Sequence, residues 1–149
     1  MEARVRFLED MAFEAKTGTG HTLVMDAAPE VGGHNRGPRP MEMLLVGLGG
    51  CTGMDVVSIL RKMRQPVTGY EVIVRGERAA EHPKVFTEIV VEHVVYGNGL
   101  AEEMVRRAVE LSETRYCSAS AMLSRAARVT HTYRIVEEAS ADDAGGDRS

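Results

Sequence analysis

The fold is decided by the stretch PMEMLLVGLGGCTGMDVVSILRKM, residues 40–63. Pro40 at a first helical position and Glu42 in the first turn are typical of a helix start, and mostly apolar or glycine residues then continue to Leu60. A helix that is apolar around most of its circumference is normally buried on all sides. We therefore predict a central helix over 40–63 that lies across a sheet and beneath a second covering layer.

This helix contains four glycines, Gly47, Gly49, Gly50 and Gly53. Each glycine weakens helix propensity by about 1 kcal/mol relative to alanine. Close approach of another group to the backbone is the usual reason for keeping them. Three of them flank Cys51, so we also expect them to leave room for a group to approach its sulfur.

Shorter elements surround the central helix. We predict an opening meander of three strands and a Gly/Pro-rich loop, then a hairpin, two helices and a last strand after the central helix. The predicted strands are 3–9, 11–15, 21–26, 68–78, 85–96 and 129–136, the loop is 29–40, and the two later helices are 100–113 and a short one that Ser118 caps. This order predicts an α+β fold in one domain, residues 1–138. A tail over 139–149 lacks apolar anchors and is predicted to be disordered.

Composition excludes several classes of function. The 149 residues carry a formal net charge of −4 and only 5% aromatic residues, which does not suit the binding of nucleic acid. The first residues lack an apolar signal region, and no uncharged apolar run reaches the length of about 18 residues that spans a bilayer. We expect a cytoplasmic protein with no membrane partner.

The two cysteines, Cys51 and Cys117, are the candidate reactive groups. In a reducing compartment two thiols are kept for chemistry or for burial rather than as a structural bridge, and burial as small apolar residues is the ordinary alternative. Cys117 precedes Ser118 at a predicted helix start. Free N–H groups and the helix dipole are expected there to lower the thiol pKa from about 8.5 into the range of about 3.5–7.5.

Other polar residues near the cysteines have simpler explanations. Asp55 lies four residues after Cys51 and shares its helix face. A carboxylate would raise the pKa of a neighbouring thiol, so we expect a structural hydrogen bond for Asp55. The five histidines have no metal-ligand spacing and are expected on strands or at the surface. We assign no metal ligand and no cofactor.

Two stretches of this chain resemble the OsmC/Ohr family of thiol peroxidases. The first is GPRPMEMLL, residues 37–45, leading to Gly49-Gly50-Cys51, and the second is Tyr116-Cys117-Ser118, followed by Leu123 and Thr132-Tyr133. The resemblance covers nearly all of residues 1–137. It implies an OsmC-like α+β fold with antiparallel sheets around a buried central helix. It also implies an intertwined homodimer with active sites at the subunit interface.

The resemblance further implies a peroxidase mechanism. Cys51 corresponds to the peroxidatic thiolate, which attacks an organic hydroperoxide and becomes a sulfenic acid. Cys117 corresponds to the resolving cysteine, which forms a disulfide with Cys51, and a dithiol then reduces the enzyme. The implied role is in the response to oxidative stress. An apolar pocket lined by Met41, Met43, Met54 and Met122 is the expected place for the alkyl group.

This chain departs from the family pattern in two places. The family arginine of the N-terminal strands is missing, because no arginine lies between Phe7 and Asn35, and Lys16, His21, Arg36 or Arg39 has to replace it. Glu42 lies one position after the family glutamate of the organic-hydroperoxide branch, where Met41 stands here. Nine residues of ideal helix turn through about 900°, so Glu42 and the sulfur of Cys51 point apart. Glu42 reaches a thiol only through a helix break or from another subunit, and stabilisation of the first helical turn is the equal alternative to its catalytic role.

The missing arginine also motivates a second hypothesis about function. In that hypothesis the chain is an OsmC-fold binding module, which holds a small apolar ligand at the dimer interface and has weak or no peroxidase activity. The two hypotheses differ in whether Cys51 and Cys117 react with peroxide.

Overall fold

The computed structural model describes residues 1–138, which fall into two compact units, Met1–Leu45 and the chain from Val46 onward. The tail predicted for 139–149 lies outside the described residues. Each unit has its own sheet.

The first unit is built on an antiparallel sheet of three short strands in sequential order. They are β1 (Ala3–Phe7), β2 (Phe13–Thr17) and β3 (Thr22–Met25). The opening meander is therefore confirmed, with strand ends shifted by up to two residues. The loop that follows contains one regular turn, a 3-10 helix over Pro29–Val31, which Gly32 ends with a left-handed backbone, φ 90°.

The central helix, α1, runs without a break over Pro40–Lys62. Its buried side chains Leu48, Thr52, Val56 and Leu60 recur every fourth residue and form one stripe. The other side of the helix is open in the single chain, where Met54 is 77% exposed. The prediction of a helix buried on all sides is therefore wrong for one chain, because the sheet of the second unit covers a single face.

Two of the helix glycines, Gly49 and Gly53, lie against strand β4 (Gly69–Arg78). A Cβ added at Gly49 would lie 3.2 Å from a methyl carbon of Val74, and one added at Gly53 would lie 3.3 Å from the ring of Tyr70. Close approach of the helix backbone to β4 is therefore confirmed as the reason for these two glycines, and the expectation that they clear space for the sulfur of Cys51 stays a prediction.

The sheet of the second unit has the order β4, β5 (Phe86–Tyr96), β6 (Arg128–Val136). β4 and β5 form the predicted hairpin, whereas β6 runs parallel to β5. The expectation of wholly antiparallel sheets is wrong at this edge. Two helices connect β5 to β6, and a crossover of that length is what a parallel pairing requires.

The connecting helices are α2 (Glu102–Leu111) and α3 (Ser118–Leu123), with a π-helical turn over Ser112–Tyr116 between them. The core of the unit lies where α1, α2 and β5 meet. Its buried members are Val56, Leu60, Val95, Val105, Ala108 and Val109. This packing fixes the end of α2, and through it the π-helical turn and the start of α3, close to α1.

By length and composition alone, α1 would be able to cross a membrane. Our expectation concerned uncharged runs and is not contradicted, because Glu42 and Asp55 interrupt the apolar residues of this helix. The core helix of a soluble protein passes the same test, and Leu48, Val56 and Leu60 of α1 are buried.

Candidate active site

Cys51 lies in the middle of α1, half-buried, one residue before Thr52 of the buried stripe. Asp55 follows one turn later on the same face and is also half-buried. The helix therefore presents a thiol and a carboxylate side by side.

Cys117 is held at the junction of the π-helical turn and α3. It is the N-cap of α3, its Sγ accepts a hydrogen bond from the N–H of Ser120 at 3.3 Å, and its own N–H donates to the carbonyl of Ser112 at 2.8 Å. The prediction that Ser118 caps this helix is wrong by one residue. The sulfur is thus part of the cap and has a fixed position.

The fold brings these groups together although 66 positions separate the two cysteines in the sequence. The sulfurs of Cys51 and Cys117 and a carboxylate oxygen of Asp55 all lie within 4.8 Å of one another. Both cysteines are free thiols. We call Cys51, Asp55 and Cys117 the dithiol cluster.

A hydroxyl pair holds the carboxylate of the dithiol cluster. Ser112 Oγ donates to Asp55 Oδ2 at 3.0 Å, and the hydroxyl groups of Ser112 and Thr52 lie 2.8 Å apart. Since Ser112 has a single hydroxyl proton and gives it to the carboxylate, Thr52 is the donor in the second bond. The predicted structural hydrogen bond of Asp55 is therefore present, and Ser112, which the sequence analysis did not single out, makes it.

Burial raises the pKa of the Cys117 thiol to about 11, with Cys51 and Asp55 acting in the same direction. The hydrogen bond from the N–H of Ser120 lowers the pKa, but this effect is smaller than the cost of burying a thiolate. The expected lowering of this pKa at the start of α3 is therefore wrong. The Cys117 thiol is protonated at neutral pH.

A second polar cluster lies in the same unit, and sequence reasoning missed it. The hydroxyl of Tyr70 bonds to Nδ1 of His93, Nε2 of His93 to Nδ1 of His131 at 3.0 Å, and Nε2 of His131 to Oγ of Ser120 at 3.2 Å. We call these four residues the histidine chain. The sequence did contain a signal for His93, namely the alternation of side chains along a strand. His93 lies two residues after Val91 and four after Ile89, so all three lie on the buried face of β5.

The histidine chain is held in its uncharged state. Burial, with a smaller effect of His131, lowers the pKa of His93 to about 4, and burial lowers the pKa of His131 as well. Burial and then Asp55 raise the pKa of the Tyr70 phenol. A neutral imidazole ring has one nitrogen that donates and one that accepts, and the hydrogen bonds of the histidine chain require both on each ring.

A cavity of about 350 Å³ lies next to Asp55 in the second unit. Its lining combines apolar side chains with one cation, namely Asp55, Ser58, Ile59, Lys62, Met63, Leu111 and Tyr116. Met63 is therefore the methionine found in this lining. Of those expected at a pocket, Met54 and Met122 are strongly exposed on the single chain.

Three of the other predicted site residues, Glu42, Arg36 and Arg39, lie in the first unit and have partners there. A carboxylate oxygen of Glu42 accepts the backbone N–H of Arg39 at 2.9 Å, which stabilises the start of α1. The guanidinium of Arg36 binds Glu9 at 2.9 Å and Asp10 at 3.2 Å. Arg39 itself donates to the side chain of Asn35 at 2.8 Å.

The chain matches a family model and several known proteins. The model for OsmC-like proteins matches residues 33–132. Protein YhfA of Escherichia coli K12 is 42% identical over 136 residues, which are 91% of this chain and 98% of that protein.

Two solved structures show the same fold. A hypothetical protein of Aquifex aeolicus VF5 is 32% identical with a TM-score of 0.81, covering 93% of this chain and 97% of that one. An organic hydroperoxide resistance protein OsmC of Legionella pneumophila is 14% identical with a TM-score of 0.68, covering 89% and 94%. By sequence and by fold, this chain belongs to the OsmC-like family.

Proposed function

We propose that this protein is a cysteine-based peroxidase that reduces organic hydroperoxides. The observation that carries the proposal is the distance between the two thiols. Two sulfurs within 4.8 Å of each other have to approach by at most about 2.8 Å to reach the S–S bond length of about 2.05 Å. Solved structures of the same fold are described as organic hydroperoxide resistance proteins, which supports the choice of substrate.

Cys51 is the peroxidatic cysteine in this proposal. Its thiolate attacks the distal oxygen of the hydroperoxide, the O–O bond breaks, and the alkoxide leaves with a proton as the alcohol. Cys51 is then a sulfenic acid. The assignment follows from the surroundings of the two sulfurs, because Cys117 is 3% exposed and its raised pKa keeps it protonated, whereas Cys51 is half-buried.

Cys117 is the resolving cysteine. Its sulfur attacks the sulfenic sulfur of Cys51, the S–O bond breaks, and the thiol proton leaves with the hydroxyl group as water. The product is the Cys51–Cys117 disulfide. An external dithiol restores both thiols and becomes oxidised itself, so each cycle consumes one hydroperoxide and one dithiol.

The cavity beside Asp55 is the proposed place for the alkyl group. Ile59, Met63 and Leu111 supply an apolar lining, which favours an organic hydroperoxide over hydrogen peroxide. Lys62 is the cation of the same lining.

A homodimer completes the proposal. Val46 and Met54 leave the outer face of α1 apolar and exposed, and a second copy of the chain would cover it. Because α1 is unbroken between Pro40 and Lys62, Glu42 would act on a thiol only across such a dimer. We place the protein in the cytoplasm, where reduced thiols persist.

The test is peroxide consumption by Cys51→Ser and by Ser124→Ala, a control at an exposed serine outside the cavity lining. With cumene hydroperoxide and a dithiol reductant, the cysteine variant is expected to lose turnover and the control to keep it. Turnover of Cys51→Ser at the rate of the unchanged protein would overturn the proposal.

The alternative is an OsmC-fold module that binds a small apolar ligand and has weak or no peroxidase activity. The cavity of about 350 Å³ favours it, since a cavity of this size is large enough for a small ligand. Intact mass after one equivalent of peroxide separates the two functions. Loss of two hydrogens indicates the disulfide and the peroxidase, and an unmodified mass indicates the module.

A further inference from the structure

We propose that Cys51, Asp55 and Cys117 form a binding site for a thiophilic divalent cation of the zinc class, with a fourth coordination position open to water. This inference is independent of the peroxidase proposal, because it requires only that both thiols are reduced. It differs from our expectation from the sequence, which considered histidine spacing and assigned no metal ligand.

The separation of the three ligand atoms suits such a cation. A tetrahedral zinc ion with bonds of about 2.3 Å to sulfur and about 2.1 Å to oxygen holds its ligand atoms about 3.6–3.8 Å apart. The three atoms of the dithiol cluster already lie within 4.8 Å of one another. A shift of about 1 Å, within reach of side-chain rotation, closes the site.

The elements that carry the ligands also resemble the construction of a metal site. Cys51 and Asp55 stand one turn apart on the rigid helix α1, and Cys117 comes from the N-cap of a different helix. Two ligands from one helix turn and a third from another element converge on one point without a mobile loop.

The partners of the ligands orient them. Ser112 holds one oxygen of Asp55 and is held in turn by Thr52, which leaves the other carboxylate oxygen available to a metal. The N–H of Ser120 donates to the sulfur of Cys117, a bond that stabilises a thiolate. Outer groups of this kind fix the ligand atoms of metal sites and tune their affinity.

The chemistry of the donor set selects the metal. Two sulfurs and one carboxylate oxygen favour zinc over magnesium or calcium, which prefer sites made only of oxygen. Three protein ligands with a free fourth position are the arrangement of sites that keep a bound water. A cation also explains why a carboxylate stands beside two thiols, because it would compensate the negative charges that the three ligands carry once both thiols have lost their protons.

Binding and oxidation exclude each other in this site. On binding, the two thiols release two protons and both sulfurs bond to the metal. In the disulfide each sulfur is bonded to the other, and no thiolate remains for the metal. A bound zinc ion would therefore protect the dithiol cluster from oxidation.

The experiment is a titration of the reduced, metal-free full chain with Co²⁺, followed by displacement with Zn²⁺. We expect one equivalent to bind, with near-ultraviolet absorption from thiolate-to-cobalt charge transfer that Zn²⁺ abolishes. Cys51→Ser and Cys117→Ser should each weaken this absorption, and Asp55→Asn should weaken binding by about 10-fold or more. Glu88→Gln, the same change at an exposed carboxylate of β5, should bind as the unchanged protein does.

A second measurement keeps the test valid if a variant fails to fold. In the unchanged protein, excess Zn²⁺ should slow alkylation of both cysteines, and excess Mg²⁺ should not. The inference is overturned if the unchanged protein shows no charge-transfer absorption, or if Zn²⁺ leaves the alkylation rate of both thiols unchanged. Neither result bears on peroxide consumption, which is measured separately.

Discussion

The dithiol cluster and the histidine chain are both polar clusters of the second unit, and they meet at Ser120. The backbone N–H of this residue donates to the sulfur of Cys117, while its hydroxyl bonds to His131. In the histidine chain each link joins a donor on one residue to an acceptor on the next, so the tautomers of the two rings depend on each other. In the dithiol cluster, two thiols and a carboxylate face one another.

The two clusters therefore differ in whether their polar groups are joined in one line of hydrogen bonds or stand opposed as acidic groups. Throughout residues 1–138, no buried side-chain nitrogen or oxygen lacks a hydrogen-bond partner. A saturated network makes a core rigid and specific, and loss of one member is costly. The acidic groups of the dithiol cluster instead repel one another when they are ionised. A disulfide bond or a bound cation would remove this repulsion.

The largest expected effect is on activity and comes from a substitution in the dithiol cluster. We expect Cys117→Ser to reduce steady-state peroxide consumption by about 100-fold or more, because the sulfenic acid of Cys51 is no longer resolved. One equivalent of peroxide should still react, and intact mass should show the gain of one oxygen. Continued rapid turnover in this variant would contradict the role of Cys117.

The next effect is on stability and comes from a substitution in the histidine chain. His93→Leu should lower the free energy of unfolding by about 2–4 kcal/mol, because it leaves the hydroxyl of Tyr70 and a ring nitrogen of His131 without a partner. Urea denaturation measures the loss, and His21→Gln, at an exposed turn, should stay within about 0.5 kcal/mol of the unchanged protein. Peroxidase activity per folded molecule should be unaffected. Loss of this activity would show that the histidine chain also takes part in the reaction of the dithiol cluster.

The stability that the histidine chain provides should depend on pH. The pKa of His93 is about 4 in the folded protein, below its usual 6.5, so the unfolded chain binds more protons between these values. Stability should therefore be complete above about pH 6.5 and fall by up to about 3 kcal/mol as the pH drops toward 4. Denaturant midpoints across this range measure the effect. The part due to His93 should vanish in His93→Leu, and an identical pH profile in that variant would contradict the assignment.

The smallest effect concerns the support of the dithiol cluster. Ser112→Ala removes the donor to Asp55 and the acceptor for Thr52, which should cost about 1–2 kcal/mol of stability. With Asp55 less well oriented, metal affinity should also fall, by roughly 10-fold. Ser124→Ala, which removes an exposed hydroxyl that bonds only to the carbonyl of Ala121, is the control. Equal effects of the two substitutions would show that Ser112 does not support the cluster.

Local pattern predicted much of the fold. Within residues 1–138, apolar periodicity and glycine or proline breaks located the six strands, the central helix and the two later helices, because each depends on neighbours within a few residues. The edges of elements were less certain. The cap of α3 is Cys117 rather than Ser118, and a π-helical turn extends α2, since both depend on how the chain packs against α1.

Two errors arose from effects that short stretches of sequence do not contain. The pKa of Cys117 depends on burial, which outweighs the local hydrogen bond from Ser120. The direction of β6 depends on the crossover through α2 and α3, so the pattern of the strand itself carries no information about it.

The sequence by itself determined the family, the order of the elements and the two cysteines as candidate groups, because motifs and periodicity are written in consecutive residues. Only the tertiary structure decided that Cys51, Asp55 and Cys117 share one place and that His93 is bonded to His131. These are contacts between residues that are distant along the chain. Their distances are set by the packing of α1, α2 and the sheet into one core, which spacing in the sequence does not measure.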